Sequence, residues 1–248
     1  MSGSEVSVQL YTVRSALAAD AAAALTRIAD LGFRQVELFD FVGRAEELAQ
    51  LLSARGLTVP SGHAMLIGED VDAVLTAARA VGMHTVIQPM VPAERWASLA
   101  WVEQTAHALN EVAVVAARQG LQVGYHNHWW ELENKIDDRP ALEVFAELLD
   151  EAVLLEVDTY WVETGGVSAP ELLRRLGKRV RFLHVKDGPA TLDMRAQTAL
   201  GAGSLNVPQI MAAAPGALKV IELDDYAGDV FDALRDSLAF LASHGLSA

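Results

Sequence analysis

Eight short apolar runs alternate with alanine- and leucine-rich stretches along the chain, and this alternation limits the fold more than any other feature. The apolar runs have the length and residue types of buried strands, and the stretches between them have the composition of helices. Four helical stretches end in a glycine just before the next apolar run, at Gly32, Gly56, Gly82 and Gly120. Glycine ends helices because it readily adopts the left-handed conformation. The repeated strand–helix order predicts an α/β protein.

The predicted strands are Val6–Tyr11, Gln35–Phe39, Thr58–Gly62, Thr85–Pro89, Gln122–His126, Leu154–Asp158, Arg181–Val185 and Lys219–Leu223. The predicted helices are Ala18–Ala29, Ala45–Ala54, Val71–Ala80, Ala97–Arg118, Ala141–Leu149, Pro170–Leu176 and Asp229–Ser243. No linker or sharp change of composition interrupts residues 1–248, so we expect one domain. Residues 187–205 fit neither element and are expected to form a functional loop over one face.

Polar residues distinguish a closed barrel from an open sheet. In an open sheet, ligand groups gather at one switch point, whereas every strand of a barrel can contribute one from its carboxyl end. Candidate groups end nearly every predicted strand: Gln9 and Tyr11, Glu37, His63, Gln88, His126 and His128, Asp158, His184, and Glu222 and Asp224. No Gly-x-Gly-x-x-Gly motif follows the first strand. We therefore predict a single (β/α)8 TIM barrel, an architecture that typically needs ~250 residues.

Composition narrows the class of protein further. The formal net charge is −14, which disfavours a nucleic-acid partner because such proteins carry clustered Lys and Arg. The chain has no cysteine, which excludes disulfides and zinc–thiolate sites. The start of the sequence lacks the pattern of a signal peptide, and no apolar segment approaches ~18 uninterrupted residues. We expect a cytoplasmic protein without a membrane partner.

The segment 120–133, GLQVGYHNHWWELE, changes from a strand into a group of imidazoles, indoles and carboxylates. Because side chains alternate along a strand, His126 and His128 should lie on the same side. Later apolar strands also run into charged residues, and together these predict a metal site formed by Glu131, Asp158, His184 and Glu222. Repulsion among three carboxylates favours a bound cation. The oxygen-rich set suits Mn²⁺ or Mg²⁺, with Zn²⁺, Co²⁺ or Fe²⁺ possible.

Seven motifs occur in order along the whole chain: VQLYTVR, GFRQVELF, GYHNHWWELE, LLEVDTYWV, RFLHVKDG, LGAGSLNV and VIELDD. Together they resemble the sugar phosphate isomerase/epimerase superfamily with the xylose isomerase-like barrel, and most closely its branch of inosose dehydratase and keto-sugar epimerases. The resemblance implies a divalent metal at the barrel mouth, and Asp158, His184 and Glu222 match three of its ligands.

The fourth ligand position departs from the pattern of the ketose 3-epimerase relatives. Those proteins carry Glu at the end of the strand, where this chain has His126. Glu131 could fold back from the following turn to bind the metal, or His126 or His128 could replace it; we favour Glu131. The departure weakens a simple 3-epimerase assignment and leaves room for a dehydratase or lyase.

The expected function is metal-dependent isomerisation or epimerisation of a keto-sugar or keto-cyclitol, by proton abstraction next to a carbonyl through a metal-bound enediolate. Candidate groups for proton transfer are Glu131, Glu222 and His128, and Lys186 could hold a substrate oxyanion or carboxylate. Candidate substrate contacts are Glu37, His63, Gln88, His126 and Trp161. Glu156, one pleat deeper than Asp158, is expected either to pair inside the barrel or to act directly.

Two alternatives to an isomerase remain open at this point. The same scaffold could carry a dehydratase or lyase of the inosose dehydratase type. A protein of another class would be a non-catalytic sugar-binding barrel or a subunit of a larger enzyme, and a homo-oligomer is possible.

The loop Gly201–Ser204 could offer backbone N–H groups to a phosphate, but few basic residues surround it, which favours an unphosphorylated substrate.

Overall fold

Eight parallel strands close into a barrel in the computed structural model of the protein, which describes residues 6–246. The barrel strands are β1 (Val6–Gln9), β2 (Gln35–Leu38), β3 (Thr58–His63), β4 (Thr85–Gln88), β5 (Gln122–His126), β8 (Val153–Asp158), β9 (Val180–Val185) and β10 (Leu218–Ile221). The short strands β6 (Lys135–Ile136) and β7 (Arg139–Pro140) form an antiparallel pair outside it. Each barrel strand pairs with the next in chain order, and β10 pairs with β1. The predicted fold class is confirmed.

Eleven α-helices accompany the strands of the described chain. They are α1 (Arg14–Ala19), α2 (Ala21–Asp30), α3 (Ala45–Ser53), α4 (Val71–Ala80), α5 (Leu99–Arg118), α6 (Trp130–Glu133), α7 (Ala141–Leu148), α8 (Thr159–Thr164), α9 (Ala169–Leu176), α10 (Val207–Ala213) and α11 (Val230–Ser243). Short 3-10 helices cover Leu10–Val13, Ala93–Trp96, Gly177–Arg179 and Met194–Ala196. Between residues 6 and 246, no helix has both the length and the apolarity needed to cross a membrane.

Most predicted elements agree with the structure to within a few residues, and the differences have local causes. The predicted helix Ala18–Ala29 is interrupted at Asp20, whose carboxylate accepts a hydrogen bond from the Ala23 amide and so begins α2. The junction glycines predicted to end helices have φ angles from 63° at Gly56 to 108° at Gly32, as that role requires.

The interior of the barrel is apolar at one level and charged at the next. Ile87, Leu154 and Phe182 form a small apolar cluster of their own, separate from the main core between sheet and helices. Residues two positions further along a strand point to the same side. Leu154 therefore precedes Glu156 on the inner face of β8, and Phe182 precedes His184 on that of β9. The apolar layer supports the charged layer at the carboxyl ends of the strands.

Candidate active site

Asp158 lies at the junction of β8 and α8, where one of its oxygens is held by the backbone. Its Oδ1 accepts hydrogen bonds of 3.0 Å from the amides of Tyr160 and Trp161 and so caps α8. Its Oδ2 lies 2.8 Å from the ammonium nitrogen of Lys186. The cap fixes the carboxylate with one oxygen toward the centre of the site. The aromatic residues after Asp158, Tyr160 and Trp161, therefore lie in α8.

Three carboxylates surround Lys186, a side chain with almost no exposure to solvent. Besides Asp158, its Nζ lies 2.7 Å from Glu222 Oε2 and 2.6 Å from Asp224 Oδ2. Burial alone would lower the pKa of Lys186, but Asp158, Asp224 and Glu222 together raise it well above its ordinary value. Lys186 is therefore a permanent cation here. We call Asp158, Glu222, Asp224 and Lys186 the outer acid–lysine group.

A second charged group lies deeper and uses histidines as its cations. The Nε2 atom of His184 lies 2.7 Å from Glu37 Oε1 and 3.2 Å from Glu156 Oε2, while its Nδ1 lies 2.7 Å from Glu222 Oε2. His63 Nε2 lies 2.6 Å from Glu156 Oε2 and 3.2 Å from Glu37 Oε1. We call Glu37, Glu156, His63 and His184 the deep acid–histidine group. His184 joins it to the outer group through the two sides of its ring.

The deep group favours charged imidazoles. Burial would lower the pKa of His63, but Glu37 and Glu156 outweigh it and raise that pKa to about 10. The pKa of His184 is likewise raised well above its ordinary value, because Glu156, Glu222 and Glu37 outweigh burial. In turn, His63 and His184 overcome the effect of burial on Glu37 and hold its pKa well below the ordinary value. Two imidazolium cations thus balance the two deep carboxylates.

His126 differs from these two histidines because it is neutral. Burial and the neighbouring His184 lower its pKa well below the ordinary value. Its Nδ1 lies 3.0 Å from Glu156 Oε2, a contact that holds the ring hydrogen on that nitrogen. Its Nε2 then carries a lone pair and lies 3.8 Å from Asp158 Oδ2. A neutral histidine fixed by a carboxylate on one nitrogen has the form that metal ligands take.

Two sets of side chains could each hold a metal ion, since the ligand atoms within each set lie within 4.8 Å of one another. One set contains Asp158, His184 and Glu222, which the sequence also groups together. The other contains His63, His126, Glu156 and His184. His184 belongs to both sets, so one centre between the two groups could draw donors from each.

Glu131, expected as the fourth metal ligand, lies in neither set. Its Oε1 accepts a hydrogen bond of 2.7 Å from the Tyr125 hydroxyl, and its Oε2 accepts one of 2.9 Å from the His128 amide. Burial dominates and raises the pKa of Glu131 to about 8. Glu131 lies in the first turn of α6, which begins at Trp130. This helical turn directs the carboxylate toward Tyr125 rather than toward His184. His126, the alternative to Glu131 at this ligand position, does belong to one of the two sets.

A pocket of about 790 Å³ opens above these groups. Its lining includes six of the polar or aromatic residues at the strand ends: His63, His126, His128, Trp161, Glu222 and Asp224. This volume falls within the range of ~300–1,000 Å³ typical of small-molecule sites. Of the residues expected to contact substrate, the pocket therefore brings together His63, His126 and Trp161, along with the proton-transfer candidates Glu222 and His128.

Glu37 and Gln88 were expected to contact substrate, but both are fully buried and are absent from the pocket lining. Besides its histidine contacts, Glu37 accepts hydrogen bonds from Gln9 Nε2 at 2.8 Å and from the Ser61 hydroxyl at 2.5 Å. Gln88 instead accepts the amide hydrogen of Leu66 at 2.7 Å and donates to the Met90 carbonyl. Both residues hold the barrel mouth in shape because neighbouring groups already satisfy their polar atoms.

Aromatic side chains form one wall of the pocket. The rings of His128 and Trp130 stack in parallel, with centroids 4.3 Å apart. Trp129 packs against Trp161 at 4.9 Å, and Lys186 Nζ lies 5.5 Å from the centroid of Trp161. Burial and Lys186 lower the pKa of His128 to about 3, so this imidazole is neutral, and its buried Nδ1 has no hydrogen-bond partner in the described chain.

The loop 187–205 is organised around the carboxylate of Asp187. Its two oxygens accept hydrogen bonds from the amides of Gly188, Gly201, Gly203 and Leu205 at 2.8–3.1 Å. A Cβ atom at Gly203 would overlap the Asp187 carboxylate, so glycine permits this close approach. The backbone amides of this loop were considered above as a phosphate site. Those of Gly201 and Gly203 already donate hydrogen bonds to the Asp187 carboxylate.

The sequence left the partners of two carboxylates, Asp224 and Glu156, undetermined. Asp224, placed at a strand end by the sequence but given no partner there, pairs with Lys186 and accepts a hydrogen bond of 2.7 Å from Gln197 Nε2. Gln197 lies in the loop 187–205, and no sequence motif around it indicates that it contacts Asp224. The pairing of Glu156 with both His63 and His126 was one of two possibilities left open, and the structure supports the paired one.

A closed parallel barrel with acids and histidines at the carboxyl ends of its strands defines a class of (β/α)8 proteins whose sites lie at that mouth. The sequence model of the xylose isomerase-like TIM barrel family matches residues 25–244, and the chain belongs to this family. No curated protein matches the sequence.

Solved structures agree with the family at the level of the fold. A sugar phosphate isomerase/epimerase from Parabacteroides distasonis ATCC 8503 superposes with a TM-score of 0.86 at 20% identity, covering 100% of this chain and 96% of that one. The IolI protein with a binding zinc atom gives 0.74 at 13% identity, with 96% of each chain covered. An L-ribulose 3-epimerase gives 0.68 at 17% identity, covering 97% and 94%.

Proposed function

We propose that the protein is a metal-dependent isomerase or epimerase that moves a proton next to the carbonyl of a keto-sugar or keto-cyclitol. The observation that carries the proposal is the grouping of Asp158, His184 and Glu222 within reach of one cation, with Glu222 also lining a pocket large enough for a sugar. Family membership and the superposition on an L-ribulose 3-epimerase support the same reaction class.

The donor chemistry of the site fits a divalent cation. Asp158, His184 and Glu222 would hold it together with His126, whose Nε2 lone pair is supported by the Nδ1 contact with Glu156. Using His126 in place of Glu131 gives two imidazoles and two carboxylates. This mixed set moves the expected preference away from Mg²⁺ and toward Mn²⁺, Fe²⁺ or Zn²⁺. The zinc atom of IolI is consistent with that preference.

Such a cation would polarise the substrate carbonyl and acidify the neighbouring C–H bond. Glu222 is the proposed base: it lines the pocket, and Lys186 and His184 outweigh burial to hold its pKa well below the ordinary value. Both of these cations contact Oε2, which leaves Oε1 available for the proton. The neutral His128 would donate a hydrogen bond from Nδ1 to a substrate oxygen, a role that suits its unpartnered nitrogen.

A dehydratase is the second candidate, and His63 favours it. This histidine lines the pocket and retains a proton because its pKa is raised to about 10. After Glu222 removed the proton next to the carbonyl, His63 could protonate a departing hydroxyl on the following carbon. Return of the proton to carbon would instead give epimerisation or isomerisation.

Metal analysis and proton exchange test the proposal together. Purified wild-type protein should contain close to one equivalent of a divalent metal, and Asp158→Ala and His184→Ala should lose it. Glu133→Ala, which removes an exposed carboxylate from α6, is the matched control and should keep its metal. Keto-sugars and inososes incubated in D₂O should then exchange the proton next to the carbonyl with wild-type protein but not with Glu222→Gln.

Retention of metal by both Asp158→Ala and His184→Ala would contradict the ligand set. Absence of metal binding even with excess metal would contradict the metal-dependent mechanism and favour a sugar-binding barrel or subunit. Mass and NMR analysis of the products distinguishes the two reactions, because dehydration removes water whereas epimerisation only changes configuration or carbonyl position.

A further inference from the structure

The opening of the pocket is unusually apolar for a site expected to take a sugar. Tyr11, Val42, Met65, Met90 and Met194 surround it, and each is 38–45% exposed. They are half of the large apolar side chains that the described chain exposes. Concentration of such side chains around one opening marks a binding surface, whereas scattered exposed ones carry no such meaning. We call these five residues the apolar rim.

Four of the five rim residues lie in a different part of the barrel from the polar floor, and Met194 alone follows a later strand. Tyr11, Val42, Met65 and Met90 follow strands β1 to β4, whereas the acids and histidines proposed to bind metal lie on β5, β8, β9 and the segment after β10. One pocket joins the two parts. A bound molecule could therefore place one end on the charged floor and another against the early-strand loops.

The pocket has room for more than a sugar ring. Its volume of about 790 Å³ lies in the upper part of the range of ~300–1,000 Å³ for sites that hold drug-sized ligands. A single monosaccharide is smaller than such ligands and would leave the rim in contact with water. Three of the rim residues are methionines, whose flexible side chains adapt to apolar surfaces of different shapes.

The charges around the pocket exclude an anionic extension. Asp40, Glu69 and Asp70 add carboxylates to the lining, and neither Lys nor Arg is among the described residues that form it. The amides of Gly201 and Gly203, in the loop considered for a phosphate, already donate to Asp187. A phosphate on the substrate would meet repulsion here, while an uncharged group would not.

Resting on the proposed function, we infer that the substrate is an unphosphorylated keto-sugar that carries an uncharged apolar or aromatic substituent. The sugar lies on the floor near Glu222 and His128, and the substituent packs on the apolar rim. Tyr11, with Phe39 edge-on at 5.3 Å, offers an aromatic surface to that substituent.

Binding of matched glycosides tests this inference. The probes are methyl and phenyl glucosides in which one ring hydroxyl has been oxidised to a ketone, titrated against tryptophan fluorescence because Trp129, Trp130 and Trp161 line the pocket. The phenyl compound should bind at least about tenfold more tightly than the methyl compound, since it buries apolar area on the rim. In a Met65→Ser/Met90→Ser variant this advantage should fall to about twofold or less.

Leu99→Ser is the matched control, because Leu99 is 41% exposed but lies outside the pocket lining; it should leave the tenfold preference unchanged. In D₂O exchange the rim variant should raise KM for the phenyl compound while kcat stays constant. Equal affinity of the two glycosides would overturn the inference. So would a rim variant that changes the oligomeric state in light scattering, since the rim would then be a contact between copies.

Failure of the proposed function gives a different result. In that case Glu222→Gln would exchange protons as wild type does, or no keto-sugar would exchange at all, while the binding preference for the phenyl compound could still be read by fluorescence.

Discussion

The outer acid–lysine group and the deep acid–histidine group meet at His184 but neutralise their carboxylates in different ways. The outer group relies on Lys186, whose ammonium lies 2.6–2.8 Å from three carboxylates. The deep group relies on His63 and His184, whose charge depends on the carboxylates beside them. An imidazolium can give up a proton to become a neutral metal ligand, whereas the three carboxylates beside Lys186 hold it as a cation. The deep group can therefore change its charge when a cation arrives, and the outer group cannot.

This difference has a consequence for metal binding. His184 must give up a proton from the nitrogen that ligates a metal. Lys186 keeps its charge, and Asp224 remains its partner away from the proposed ligands. We expect Lys186 to stay beside the metal and to hold the outer carboxylates in place, whether or not the metal is present.

The largest expected effect comes from removing the permanent cation. Lys186→Met preserves most of the side-chain volume but removes the cation from two buried carboxylates, Asp158 and Glu222, and from the partly buried Asp224. We expect the free energy of unfolding of the metal-free protein to fall by about 3–5 kcal/mol at pH 7, the cost of breaking a buried ion pair from one side. Adding Mn²⁺ or Zn²⁺ should restore part of the loss by binding only the folded state. Urea unfolding measures both effects.

The matched control is Lys178→Met, since Lys178 is exposed and lies just before β9. It should change the stability by no more than about 0.5 kcal/mol. A loss of less than about 1 kcal/mol in Lys186→Met would contradict the interpretation that Lys186 is the essential counter-charge of the outer group.

Glu37→Gln breaks the deep group and should cost less, about 1–3 kcal/mol. The reason is that His63 and His184 can lose protons when their carboxylate partner is neutralised. The ring resonances of His63 in NMR titrations should show a pKa well below the value of about 10 in the wild-type protein. Ser61→Ala removes a hydrogen bond to Glu37 without changing charge and should leave the pKa of His63 raised. An unchanged pKa in Glu37→Gln would mean that Glu156 alone controls His63.

Asp187 provides a third kind of neutralisation, by backbone amides instead of a cation. Asp187→Ala leaves four amides without their acceptor and should cost about 1–3 kcal/mol. Sulfate should restore stability to this variant by more than it stabilises the wild-type protein at equal ionic strength, because the vacated amides can then bind an external anion. An equal gain in both proteins would contradict this interpretation of the loop.

The strands and their order could be read from the sequence because each barrel strand is a nearly continuous apolar run ending in a polar residue. The predicted segment Gln122–His126 coincides with β5, and Leu154–Asp158 differs from β8 by one residue. The short helices α6 and α8 were not predicted, and for α8 the reason is physical. Asp158 was assigned to metal binding alone, although an Asp before a helical turn also caps it.

The site itself was predictable only in part. Asp158, His184 and Glu222 could be grouped because the ends of neighbouring strands are close in any barrel. The partners of Glu131 and Gln88 could not be predicted, because they depend on how the segments after β5 and β4 turn. Glu131 meets the hydroxyl of Tyr125, a residue six positions earlier on the opposite side of β5 from His126. Sequence spacing alone does not reveal that contact.

Glu131 completes the comparison, because it is as buried as Glu37 but has no cation beside it. Its pKa is raised from the ordinary 4.5 to about 8, whereas that of Glu37 is lowered. Between these two pH values the folded protein retains a proton that the unfolded chain releases. Stability should therefore decrease as pH rises from 4.5 through about 8, with a slope of up to ~1.4 kcal/mol per pH unit from this residue.

Glu131→Gln isolates that contribution, since the amide stays neutral throughout. Urea unfolding across pH 4.5–8 should show a smaller fall in stability for the variant than for wild type, because His63 and the other titrating groups are common to both. The variant should also keep its equivalent of metal, unlike Asp158→Ala, if His126 rather than Glu131 completes the ligand set. Loss of metal in Glu131→Gln, with an unchanged pH slope, would contradict both conclusions. Glu131 would then be an ionised metal ligand. Its carboxylate would have to leave its contact with the Tyr125 hydroxyl in order to bind the ion.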